Sequence, residues 1–134
     1  MPYRARLVSI LMTLAIAASP GPPTLTVSLY PLHGSNERGT ATITQRGSGL
    51  IITIHVTGTT SGASPQFAHF HRGTCEHIAT PTVYELEPIR NGQSTTQLTD
   101  IGFEALIHGE YSIVIHKTLS HGSPHVSCGT VAGA

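Results

Sequence analysis

Apolar and polar residues alternate along most of the chain after residue 23. In "TLTVSLY" (Thr24–Tyr30), Leu25, Val27 and Leu29 alternate with Thr24, Thr26 and Ser28. "GTATITQR" (Gly39–Arg46) repeats the pattern less cleanly, and "LIITIHV" (Leu50–Val56) puts Leu50, Ile52, Ile54 and Val56 on one side. A period of two in β-branched residues is the mark of half-buried strands. "HGSNERG", "RGSG" and "TGTTSGASP" separate these runs, so successive strands turn back on one another. Further strands are predicted at Gln66–His71, Thr82–Leu86, Gln93–Thr99, Glu110–Lys117 and His125–Val131. Phe103, Leu106 and Ile107 share helical spacing and predict one turn of helix, which Gly109 ends. Short strands, frequent turns and no βαβ rhythm predict an all-β fold: an eight-stranded antiparallel sandwich or Greek-key barrel.

The first 19 residues break the pattern. Arg4 and Arg6 precede the uncharged apolar run Leu7–Ser19, which is too short to span a bilayer. "AIA" (Ala15–Ala17) then offers small residues at a cleavage position, and "AAS" (Ala17–Ser19) offers a second. That order predicts a signal peptide over 1–19, one domain over 20–134, and an exported protein, secreted or periplasmic. No cysteine lies at the cleavage region, so a lipid anchor is not indicated. With the leader gone, the seven Lys and Arg fall to five against seven Asp and Glu. A mildly acidic domain lacks the basic patch of a nucleic-acid binder and the polybasic segment of a membrane anchor.

About 115 residues can bury only a modest core, so a covalent staple would help. The cysteines are Cys75 and Cys128. Two cysteines in an exported chain suggest one disulfide, closing about fifty residues and worth about 4 kcal/mol in the chain-entropy model. A pair of metal thiolates is the alternative, although neither cysteine belongs to a CxxC knuckle.

The chemistry concentrates in "QFAHFHRGTC" (Gln66–Cys75). On a strand, His69 and His71 share one face and Ala68 and Phe70 the other. The apolar pair suits the core and the histidines point away from it. Their anchor points are about 6.5 Å apart at about 3.3 Å per residue. Two such imidazoles can converge on one ion at about 2 Å each, and imidazole suits copper, zinc, iron and nickel. The chain holds nine histidines, so an HxH pair also arises by chance. "EYSIVIHK" adds His116 at a strand end, off the stripe of Ile113 and Ile115, and "HVSCGTV" follows with the second cysteine.

Together, "FAHFH", Cys75, "SIVIHK" and "HVSCGTV" resemble the copper/zinc superoxide dismutase family, whose H-x-H strand, loop cysteine, V-x-H strand and C-terminal C-G-x-I/V occur in this order. The resemblance spans about Leu25 to Val131. It implies an eight-stranded Greek-key barrel, copper on His69, His71 and His116, a Cys75–Cys128 disulfide, and superoxide as substrate. It implies copper without zinc, because "EHIATPTVYELEPIRNGQ" supplies only His77 and no Asp where the family has its bridging and zinc ligands. His125 stands where the family carries a substrate-guiding arginine. His77, His121 or His125 is a candidate further ligand. The "H-x-H-x-G-x-C" strand end is also similar to small exported bacterial β proteins and, more distantly, to CHRD-type domains. These resemblances imply as alternatives a copper-binding or delivery module, or an extracellular domain without enzymatic activity.

Other polar residues read as ordinary surface. His55 falls on a polar face, His33 and His108 adjoin glycines in turns, and Glu85 and Glu87 form a solvated edge. No G-x-S-x-G, P-loop or HExxH is present.

Overall fold

The computed structural model describes all residues except 4, 17–18, 59–64, 121 and 133–134. The strands are β1 (Thr24–Pro31), β2 (Arg38–Arg46), β3 (Gly49–Thr57), β4 (Ala68–Arg72), β5 (Thr82–Glu85), β6 (Gln93–Leu98), β7 (Tyr111–His116) and β8 (His125–Val131). A single helical turn, α1 (Phe103–Ile107), precedes β7 and buries Phe103 and Leu106. The alternation in the sequence therefore located every strand to within two residues at its ends.

The protein is all-β, with one antiparallel sheet of eight strands in the order β5-β4-β7-β8-β1-β2-β3-β6. β1, β2 and β3 form a meander, with Val27 opposite Ala41 and Ile43 opposite Ile52. That register brings their apolar residues to one face, where they meet Phe70, Ile113 and Ile115 from the other half of the sheet. Leu29, Ile43, Ile52, Ile54 and Phe70 are fully buried there, each worth about 2 kcal/mol in transfer free energy.

The sheet curls, but its two edge strands, β5 and β6, do not pair as a ladder. The segment after β5 bridges part of this gap. Ile89 pairs with Gln66, and the Glu87 amide donates to Thr96 Oγ1 at 2.8 Å. The structure is thus a half-barrel, open along one seam, in keeping with the expected eight-stranded antiparallel barrel or sandwich.

β8 crosses β1 closely. A side chain at Gly129 would place its Cβ 2.5 Å from the Ser28 carbonyl oxygen and 2.6 Å from Val27 Cγ1. Only glycine fits there without displacing backbone. β7 is buried along its whole length, on both faces. Ile113 and Ile115 enter the core, while Val114 lies on the other face opposite Cys128.

A buried carboxylate ties the strand ends together. Glu37, 1% exposed, accepts hydrogen bonds from Gln66 Nε2 at 2.7 Å and Ser127 Oγ at 3.0 Å. Gln66 Nε2 also donates to the His116 carbonyl at 3.2 Å. Burial pushes the Glu37 pKa above its ordinary value, against the smaller opposing effect of its two hydrogen bonds. A carboxyl that binds its proton more tightly when folded loses stability as pH rises from the unfolded pKa of 4.5 to the raised folded one. Glu37→Gln should keep the hydrogen bonds and flatten that pH dependence in urea unfolding. Glu37→Leu, which strands Gln66 and Ser127, should cost about 2 kcal/mol or more at every pH.

Candidate metal centre

His69 and His71 project from β4 on the face opposite Ala68 and Phe70, as the alternation requires, but they do not point into solvent. They are 3% and 4% exposed, and His116 at the end of β7 is 5% exposed. Chain pairing explains the convergence. β4 lies beside β7, and the register places His71 opposite Ser112 and His69 opposite Val114. His116, just beyond Ile115, pairs with His125 after a shift of register.

Two loops cover the histidines. The first, residues 73–81, is fixed by the Cys75–Cys128 disulfide, with Cα atoms 5.9 Å apart. The Cys75 amide also donates to Thr130 Oγ1 at 3.1 Å, and the Ala79 amide donates to the Arg72 carbonyl at 2.9 Å. So anchored, the loop presents the Ala79 carbonyl to His71 Nδ1 at 3.0 Å. The second, which includes residues 117–120 and 122–124, presents the Ser123 carbonyl to His116 Nδ1 at 3.2 Å. The Thr118 amide donates to Ser123 Oγ at 3.3 Å and holds that loop in shape.

A carbonyl oxygen can only accept, so each of these Nδ1 atoms carries the proton. In a neutral imidazole that leaves the lone pair on Nε2. His71 and His116 are therefore held in the tautomer that ligates through Nε2, with a backbone carbonyl behind each ring. Thr82 Oγ1 lies 3.2 Å from His69 Nδ1 and 3.4 Å from His71 Nε2. A hydroxyl in that place donates to one ring and accepts from the other, and so orients both.

One ligand atom from each of His69, His71 and His116 lies within 4.8 Å of the others. Bonds of 2 Å imply a spread of about 4 Å or less, so closing on an ion requires a small turn of the rings. The ring centroids are 4.9 Å apart for His69–His116, 5.8 Å for His69–His71 and 6.4 Å for His71–His116. The donor set fits a metal: three buried imidazoles, two held by carbonyls in a ligating tautomer. These three histidines could hold a metal ion.

The remaining candidates are placed differently. His125 is half-buried beside the triad, its ring 4.7 Å from that of His116 and 6.1 Å from that of His71. Burial, then the neighbouring His116, His71 and His33, push its pKa below the ordinary histidine value. His77 is exposed in the 73–81 loop and outside the converging group. His121 lies outside the described residues. Sequence reasoning missed Thr82, Gln66 and Glu37. Nothing local marks them; the register between β4 and β5, with its irregularity at Phe70/His71, carries Thr82 to the histidines.

No family model, curated protein or solved structure matches the chain. Fold and site together define an all-β, disulfide-stapled protein with a buried histidine triad able to hold a metal.

Replacing both cysteines with serine should cost about 4 kcal/mol in chemical denaturation. It should also free the 73–81 loop. Hydrogen exchange at the Ala79 amide would accelerate well before exchange at the β2–β3 ladder amides, and metal affinity would fall.

Proposed function

We propose that this chain is an exported copper-binding protein of superoxide dismutase type. The observation that carries the reading is the convergence of His69, His71 and His116 beneath a disulfide-anchored loop. An imidazole-only donor set accepts several divalent metals, and copper(II) stands highest among the first-row ions in affinity. The disulfide supports an oxidising environment, and the leader expected over residues 1–19 would carry the chain out of the cytoplasm.

A copper ion held by His69, His71 and His116 would supply the one-electron chemistry that disproportionation of two superoxide ions and two protons to dioxygen and hydrogen peroxide requires. The chain's own contribution is binding and orientation. Ala79 and Ser123 hold His71 and His116 by their Nδ1 protons, which raises the basicity of the ligating nitrogens. Thr82 holds His69 by its Nδ1 and would give up its contact with His71 Nε2 when that lone pair binds an ion. The Phe67 ring lies 5.3 Å from that of His69 and edge-on to that of His116, which limits water at the site. In this reading His125 takes the part of the family's guiding arginine, and His77, His121 or His125 is the candidate further ligand.

A second reading, copper storage or delivery without turnover, has its own support. The triad is nearly closed to solvent. Burial and the neighbouring His116, His71 and His33 disfavour the charged form of His125, which weakens its pull on an anion.

Titration of the purified protein with Cu(II) should give one bound ion per chain and a visible absorption band, both lost in a His69→Ala/His71→Ala variant. Equal uptake by that variant would remove the site from consideration. Superoxide decay measured against a free-copper control then separates the readings: acceleration by the loaded protein beyond that control supports the dismutase, and its absence the carrier.

A further inference from the structure

The open seam of the half-barrel lies against the histidine site. A cavity of about 310 Å³ occupies it, walled by Phe67, His69, Glu85, Glu87, Pro88 and Leu98. One wall of this cleft is thus an imidazole of the triad. Glu85 stands directly opposite His69 in the β4–β5 register. Residues paired in that way share a face of the sheet, with Cβ atoms about 5 Å apart. Glu87 follows two residues later, its backbone fastened to Thr96 of β6. Both glutamates are exposed, and among the described residues no lysine or arginine lines the cleft.

A cavity beside His125 has the opposite character. It measures about 370 Å³, is lined by His125, His33 and Lys117, and among the described residues has no carboxylate in its lining. His69 thus borders an acidic cavity and His125 a basic one.

We propose that the acidic seam is the loading port of the metal centre: a metal cation reaches His69 between β5 and β6, drawn in by Glu85 and Glu87. This rests on the metal-binding reading above and deepens it by assigning the route and the charge of what travels along it. Like charge at the seam repels an anion, so superoxide does not share this path. Low-dielectric walls concentrate the field of the two carboxylates along the cleft, and focusing of this kind raises association rates tenfold or more. His69 is then the first ligand a cation meets. His71 and His116, each backed by a loop carbonyl, complete the capture deeper in.

The test is stopped-flow mixing with Cu(II) alone, followed by quenching of tyrosine fluorescence, since the chain has four Tyr and no Trp. In a Glu85→Gln/Glu87→Gln variant, association should slow about tenfold at low ionic strength. The stoichiometry should be unchanged, and the difference should vanish near 1 M salt, where the screening length is about 3 Å. Glu104→Gln, on exposed α1, should leave the rate unaltered. Equal rates for the double variant and the unaltered protein would overturn the port. So would equal slowing by Glu104→Gln, which would make net charge the cause. Affinity lost at high salt as well would also overturn it, because the glutamates would then be ligands. If the unaltered protein takes up no copper, the metal site itself fails, an outcome distinct from uptake whose rate is indifferent to the glutamates.

Discussion

An imidazole removed from water must find a hydrogen-bond partner, and at this site two of the partners are backbone carbonyls brought in from outside the sheet. β4 and β7 are nearly sealed on both faces. Their core face needs nothing polar, but the opposite face carries His69, His71 and His116, and a covering of apolar side chains alone would leave these rings unsatisfied. The loops 73–81 and 117–124 resolve the conflict with Ala79 and Ser123. The covering and the orienting of the histidines are one structural act. The disulfide belongs to it, since Cys128 lies on β8 beside the strand that bears His116.

Much of this was legible in the sequence, because strand alternation is a local signal. Leu25, Val27 and Leu29, or Leu50 through Val56, announce their buried face without reference to any other strand. The shared face of His69 and His71 follows from the same rule, and the two cysteines announced their bond through number and context. The rest depends on which strands become neighbours. The histidines were expected to look outward; the loop that covers His71 follows β4 directly, but what pins it there is Cys128, 53 residues beyond Cys75. Thr82 is an unremarkable strand residue until a register irregularity sets it between two rings. Glu37 reads as part of a polar turn, yet it is among the most buried side chains because Gln66 and Ser127 meet it from distant strands. The open seam was equally hidden, since both its edges are strands that alternate well.

The site combines rigidity with restricted access. Each ligand ring is gripped from behind, which favours one geometry and one tautomer. The same loops that grip the rings also exclude solvent, so exchange at the centre is tied to the two cavities beside it. Their linings differ in charge, with Glu85 and Glu87 on the His69 side and Lys117 on the His125 side, although the four rings lie within a few ångströms of one another.

Gly129 qualifies how the C-terminal Cys-Gly pair is understood. Its cysteine is a crosslink and its glycine answers to a collision, the carbonyl of Ser28 passing where a side chain would stand. Neither half belongs to the group of histidines that could hold a metal ion. A lineage that lost all three of those histidines would still have to keep that glycine for as long as β8 passed β1 at this distance. Persistence of the pair would record how the chain is folded over itself, whatever became of the histidines.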